Sequence, residues 1–334
     1  MSKPVMQDIA NYLSISRVSV WKALTNRPGV SKKLRQKILD RAIEIGYTNE
    51  SRIDDAKTSA VASRTIATVV SRQESSLFWM QIIHQIAVEL SNQGINLLYV
   101  NMPSDYEKEY ILPAVLSDGS VSGIIVLNIY SEPLIKMLAD LSLPKVFLDS
   151  VPAISNDTLN GDLVLIEGRN AVKQITCWLL DSGRTRLGFV GDINYAQTNM
   201  DRYLGYLDAF AERGLVCDEN LSLTSRLHLT THYEQISAFL DSLDAMPEGF
   251  VCASDYIAHF IRQYFTEHGI EKSAVCLTGF DNNTEYANVA NKITTVDVQT
   301  KSMGERLASK ILFSINHPDS LSEICYVVPN VIYR

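Results

Sequence analysis

The chain lacks most of what would place it in a membrane, in a secretory route or among enzymes. No run of eighteen apolar residues free of charge occurs in its 334 residues, so no membrane-spanning helix is expected. The opening stretch, MSKPVMQDIANYL, has neither an uninterrupted apolar core nor a small-residue cleavage site, so no secretory signal is expected. Cysteine is sparse. Cys177, Cys217, Cys252, Cys276 and Cys325 are odd in number and far apart, and no C-x-x-C pair occurs. That usage fits reduced thiols and a cytoplasmic protein. There is no H-E-x-x-H. His228 and His232 stand four apart without an acidic cluster, which makes a poor metal pair. No phosphate-cradling glycine pattern follows an apolar run, and no G-x-S-x-G elbow exists. No cofactor, no metal and no catalytic residues are therefore expected.

What is present is an uneven distribution of charge. The formal net charge is −8. The first fifty residues nevertheless carry nine Lys/Arg against four Asp/Glu, and the positive groups lie between Lys3 and Arg41. A small basic head suits a polyanion; the acidic remainder would be repelled by one and has another task.

Within the head, Val5, Ile9, Ala10 and Leu13 recur at helical spacing. Ser16 is placed to cap a second helix, with Ser19 at its third position and Val20 and Leu24 inward. Thr25 to Gly29 is loop by composition, and Ser31 caps a third pattern through Leu34, Ile38, Ala42 and Ile45, stopped by Gly46. Two short helices joined by a tight turn and followed by a third read as a helix-turn-helix unit. The second helix would enter the major groove and offer Arg17, Val18 and Lys22 to base edges. Lys3, Ser31, Lys32, Lys33, Arg35 and Lys37 suit phosphates, Ser31 by aiming a helix N-terminus. Ser16, Ser19 and Asn26 complete the candidate DNA-facing set. Trp21 is expected in or near the core.

Residues 49–64 are small and polar, a linker by composition. From about residue 65 short apolar runs alternate with amphipathic segments. Ile66–Val70, Ile95–Val100, Gly123–Leu127 and Lys145–Leu148 are predicted strands, with helices at Phe78–Asn92, Asp105–Leu116 and Glu132–Leu141. A second series has strands at Arg186–Val190, Leu221–Leu223, Phe250–Cys252 and Ala274–Thr278. Its helices are predicted at Ala171–Leu180, Met200–Arg213, Tyr233–Leu243 and Tyr256–Glu267. The fold class is thus an all-α helix-turn-helix head, residues 1–48, and an α/β body, residues 65–334, of two doubly wound parallel-sheet lobes. Lobe 1 is expected at about 65–162 with part of 298–334, and lobe 2 at about 163–297 with the remaining C-terminal part. Two such lobes frame a cleft at their strand ends that takes a small molecule.

The head closely resembles the lactose repressor/galactose repressor family of bacterial transcription regulators. The residues that carry the resemblance are Ile15-Ser16, Ser19-Val20-Trp21-Lys22, Leu24-Thr25, Val30-Ser31, Leu34-Arg35, Ile38 and Ile45-Gly46-Tyr47. The body continues it at Phe147-Leu148-Asp149, Gly188-Phe189-Val190-Gly191, Arg202-Tyr203-Leu204-Gly205-Tyr206, Ser254-Asp255, Gly279-Phe280-Asp281 and Met303-Gly304. Trp21 replaces the usual Ser, and Leu77 the usual Pro at the cleft mouth. The resemblance implies a body of periplasmic-binding-protein-like type and double-stranded operator DNA as a partner. It also implies a small-molecule effector, a sugar by default, with steric repression as the mode. Phe78 and Tyr256 would stack on that ligand, while Asp149, Asn194, Arg202 and Asp281 would hydrogen-bond it.

The resemblance further implies a hinge helix that wedges into the minor groove. Here Ile53 is the one large aliphatic residue between 49 and 60, Ala56 takes the place of the wedging Leu, and Asp54-Asp55 would lie near phosphates. A wedge by Ile53, weak bending without a wedge and a flexible tether all remain open, the last two favoured. Ile53→Ala is then expected to change operator affinity by less than about tenfold in an equilibrium titration; a larger loss would restore the wedge. Without a heptad extension, a homodimer is expected. The alternatives are an effector-independent DNA-binding regulator with a degenerate cleft, or a small-molecule binding module with weak DNA binding.

Overall fold

The computed structural model describes residues 4–24, 29–45, 47, 64–71, 76–228, 230–271 and 273–334. Lys3, Asn26, Ile53 and Ala56, the side chain of Lys32 and nearly all of the expected linker lie outside what is described. The chain forms two compact units, residues 1–64 and 65–334.

In the first unit α1 spans Met6–Leu13, α2 Arg17–Leu24 and α3 Lys32–Glu44. The turn between α1 and α2 is made by Ser14 in the left-handed region (φ 51°). Ser16 caps α2 by accepting the Ser19 amide at 3.1 Å, and Ser31 caps α3 by accepting that of Leu34 at 3.3 Å. Ile9, Ala10, Val20, Ala23, Ile38 and Ala42 form the buried core of the three helices. Fully burying a side chain such as Ile38 contributes about 2 kcal/mol, so this small unit depends on each of them. Trp21 corrects its expectation: it stays 42% exposed on α2. Positions 20 and 23 carry the buried stripe of that helix, and position 21 turns away from it.

The second unit starts with β1, Thr65–Val70. Then follow α4 (Leu77–Ser91), β2 (Asn96–Asn101), β3 (Gly123–Leu127), α5 (Glu132–Ala139), β4 (Lys145–Leu148) and β5 (Asp162–Ile166). With β10 (Ile324–Val327) these make a six-stranded parallel sheet in the order β10-β5-β4-β3-β1-β2. β3, β4 and β5 are buried at every position, as covered parallel strands must be, while the edge strands β2 and β10 are partly exposed. Alternate residues serve opposite faces. Ile66, Ile125, Val146 and Val164 pack with Ile82 and Ile86 of α4, whereas Ala67, Ile124, Phe147 and Leu163 pack with Leu134 and Leu138 of α5.

The second lobe contains α6 (Gly168–Asp181), β6 (Leu187–Val190), α7 (Gln197–Glu212), α8 (His232–Asp241), β7 (Gly249–Cys252), α9 (Asp255–Glu267), β8 (Cys276–Thr278) and β9 (Thr295–Asp297). β6-β7-β8 is parallel, and β9 pairs antiparallel with β11 (Asn330–Ile332). α10 (Thr300–Asn316) returns to pack on α4, β3 and β4. The chain therefore passes between lobes three times: at Glu167, at Val298-Gln299 and at Val328-Pro329.

Three expectations need correction. The lobe boundary placed at 162/163 falls after β5, because Val146, Phe147 and Leu148 pair with Asp162, Leu163 and Val164. Asp105–Leu116 is not a helix. Glu109 is left-handed (φ 75°), Pro113 disfavours a helical Leu112, and only a 3-10 turn at Ala114–Leu116 remains. Leu221–Leu223 is a single bridge, Val190 to Leu223, after a 3-10 turn at Glu219–Leu221.

Candidate functional site: a two-lobed cleft

Strand order in the first lobe reverses between β1 and β3, and ligand crevices open beyond the carboxyl ends of strands at such a point. A cavity of about 470 Å³ lies there, closed on the far side by the second lobe. That volume is in the ordinary range of small-molecule sites. Lobe 1 lines it with Phe78 and Trp79 from the start of α4, Asn128 and Tyr130 after β3, and Asp149 after β4. Lobe 2 contributes Asp192 and Tyr195 after β6, Asn199 and Arg202 from α7, Tyr256 from α9, and Asp281, Glu285 and Tyr286 after β8.

Backbone strain gathers at the strand ends. Asn128 (φ 53°), Asp149 (φ 71°) and Asp281 (φ 100°) all follow a strand directly or within three residues and all have left-handed φ. Asp and Asn tolerate that region better than most residues, and residues held there cluster at ligand clamps.

Arg202 is the electrostatic centre. It is 6% exposed. Its guanidinium lies 3.7 Å over the Phe280 ring, Nη1 donates to the Ala253 carbonyl at 2.5 Å, and Nη2 stands 3.9 Å from Asp281 Oδ1. Nε has no hydrogen-bond partner among the described residues. Gly168 makes room for this side chain, since a Cβ there would sit 2.8 Å from Arg202 Cγ. Burial pushes the Asp149 carboxyl above the usual range, opposed by the Thr198 hydroxyl, the Ser150 amide and Arg202. Asp281 is likewise raised by burial and held down by Arg202.

The lobes touch across the cavity. Thr198, at the start of α7, donates from Oγ1 to Asp149 Oδ2 at 2.5 Å and from its amide to Oδ1 at 3.3 Å. The Gln197 amide donates to the Ser150 carbonyl at 2.8 Å, and the Tyr130 and Tyr195 rings meet at 4.4 Å. Of the six residues expected at the ligand, Phe78, Asp149, Arg202, Tyr256 and Asp281 come together on the cavity wall. Asn194 does not: its amide donates to Asp192 Oδ1 at 3.0 Å within a tight turn, and its neighbour Tyr195 reaches the cavity instead. Trp79, Tyr130, Tyr195, Tyr286 and Glu285 were not anticipated. Trp79 stands beside the expected Phe78, and for the others the one sequence signal is an aromatic or acidic residue in the loop that follows a strand.

In the head, Ser16, Arg17, Val18 and Trp21 are exposed on or beside α2. Ser19, Lys22 and Arg35 are half-buried, and Ser31 is exposed at the start of α3. Arg35 Nη1 donates to the carbonyls of Lys22 and Ala23, at 3.3 and 3.1 Å. Part of that guanidinium thus caps the end of α2 rather than facing outward.

Fold and site together define a two-lobed small-molecule-binding body attached to a helix-turn-helix head. Residues 178–334 match the profile of the periplasmic binding protein-like domain. The chain is 26% identical to the HTH-type transcriptional regulator RegA of Clostridium saccharobutylicum, covering 97% of this chain and 96% of the relative. It is 23% identical to the HTH-type transcriptional repressor PurR of Mannheimia succiniciproducens, with 98% and 97% covered. A solved complex of the transcriptional regulator CelR with cellobiose superposes with a TM-score of 0.70, at 21% identity over 99% of both chains. A LacI family regulator from Enterococcus faecium with bound ribose gives 0.66, at 20% identity over 81% of this chain and 97% of that one. Over nearly its whole length the chain is thus similar to helix-turn-helix transcriptional regulators, and it shares the fold of LacI family regulators.

Proposed function

We propose that this protein is a DNA-binding regulator of the lactose repressor/galactose repressor family, a homodimeric repressor whose operator affinity is set by a sugar bound between its lobes. The observation that carries the reading is Arg202, a buried cation with an unpartnered Nε inside a cavity walled by aromatic rings. Aromatic faces take the apolar faces of a pyranose, and Arg202 and Asp281 take its hydroxyls. Two structural neighbours hold cellobiose and ribose, which supports the same ligand class. The loose 3.9 Å Arg202–Asp281 contact speaks against a cleft that has collapsed on itself. Asp149, Asp281, Phe78 and Tyr256 are read as ligand contacts, and Arg17, Val18 and Lys22 as base-reading residues. No helix among the described residues is long and apolar enough to cross a membrane, which agrees with the cytoplasmic location the reading needs.

The mechanism is linkage. A ligand that binds one interlobe angle better than another shifts the body between them, and through the dimer the spacing of the two heads. Such coupling is typically about 1–3 kcal/mol, or roughly 5- to 150-fold in operator affinity, and is reciprocal. Calorimetry of the full chain with mono- and disaccharides, repeated with a palindromic operator fragment, tests it. A sugar is expected to bind and to change operator affinity within that range. A sugar that binds and leaves operator affinity unchanged would overturn the proposal.

A further inference from the structure

Glu285, in the loop after β8 of lobe 2, accepts the backbone N–H of Leu77 on Oε1 at 2.8 Å. Leu77 is the first residue of α4 in lobe 1, 208 positions away, so the bond spans the cleft mouth. The start of α4 depends on it. Its N-cap, Ser76, makes no side-chain capping bond, and a helix start presents amide donors that attract a carboxylate. Glu285 is also aimed: Asn283 Nδ2 donates to Oε2 at 3.0 Å, and the Glu285 amide donates to Asn283 Oδ1 at 2.8 Å. The Asn283 amide is in turn anchored on the buried Asp255 carboxylate at 2.7 Å.

We propose that Glu285 is a latch that holds the cleft shut by capping the other lobe's helix. α7 is capped across the cleft in the opposite sense, its N-cap Ala196 offering no side chain and Asp149 of lobe 1 receiving Thr198. Each lobe thus supplies the carboxylate that the other lobe's helix lacks. Opening the cleft breaks both caps at once and leaves both helix starts to water. The latch biases the closed state without a ligand, and a ligand that needs closure gains affinity in proportion to the closed fraction.

The test needs neither effector nor DNA, so it stands apart from the regulatory reading. Leu77→Pro removes the donor alone. Proline is favoured at the first helical position, and Ser76 already has the extended backbone (φ −62°, ψ 119°) that must precede one. Amide hydrogen exchange is followed at Gln197 and Thr198, the other interlobe contact. A lost cap is commonly worth about 1 kcal/mol, so Leu77→Pro and Glu285→Ala are each expected to reduce protection there roughly fivefold. The double variant should match the single ones. Leu77→Ala, which keeps the N–H, should match the wild type. Unchanged protection at Gln197 and Thr198 in both folded single variants would reduce Glu285 to a local cap and overturn the latch.

Discussion

Arg202→Met is expected to destabilise the body by about 3 kcal/mol at pH 8, with a clearly smaller loss at pH 5. Removing one member of a buried charged group typically costs about 3–5 kcal/mol because its partners are left uncompensated. The long Arg202–Asp281 distance places this case at the lower end. Met retains much of the length that covers Phe280 but loses the hydrogen bond to Ala253 and the field on Asp149 and Asp281. The sign of the pH effect follows from those two carboxyls. Burial already raises both above their unfolded values, so each stabilises the native state at low pH and loses that contribution as pH rises through its folded value. Arg202 limits the rise, and its removal enlarges it. The penalty therefore appears where the carboxyls must ionise and shrinks where they are protonated. Urea unfolding at the two pH values, followed by far-UV circular dichroism, measures the difference. An equal loss at both would mean that Arg202 contributes only its packing and its hydrogen bond to Ala253. Under the proposed function, the same variant also loses sugar binding.

The order of the body and the division from the head were legible because they rest on patterns that tertiary context seldom overrides. Covered strands read as apolar runs, and caps such as Ser16 and Ser31 announce helix starts. Asp105–Leu116 misled because its apolar spacing imitates a helix while Pro113 and the left-handed Glu109 interrupt it. Trp21 misled because one bulky apolar residue on a short helix was assigned inward from its neighbours, and the stripe at Val20 and Ala23 leaves it outside. In the cleft, five of the six residues expected at the ligand lie on the cavity wall, while most of the aromatic and acidic residues that were missed come from loops. Tyr130 and Tyr195 meet only because two lobes 65 positions apart in the chain bring them to 4.4 Å, and nothing local to either residue encodes that contact. Glu285 was missed for the same reason: its partner is a backbone amide in the other lobe.

Asp255→Asn should stabilise the body by about 2–4 kcal/mol at pH 8 and leave it nearly unchanged at pH 4. Asp255 is 3% exposed and lies behind the cleft wall, where burial first and then the neighbouring Asp281 push its carboxyl up to about 7 from a usual 3.8. A shift of that size corresponds to about 4 kcal/mol if it is fully expressed. In the unfolded chain the group ionises near its usual value; in the native state it keeps its proton until close to neutrality. It therefore stabilises the fold below about pH 4, and that contribution is lost progressively as pH rises to about 7. An amide reproduces the protonated arrangement: its oxygen accepts the Asn283 amide, now 2.7 Å from Oδ2, and its NH₂ donates to Thr295 Oγ1, now 2.7 Å from Oδ1. Asn also preserves the shape against Gly279, where a Cβ would fall 2.0 Å from Asp255 Oδ1. The gain from the substitution should thus grow from pH 4 to pH 7 and level off above it. Paired urea titrations across that range measure it, and a gain independent of pH would show that Asp255 keeps an ordinary carboxylate in the folded protein. Because Asn283 links Asp255 to Glu285, the same titration also reports on the anchor of the interlobe latch.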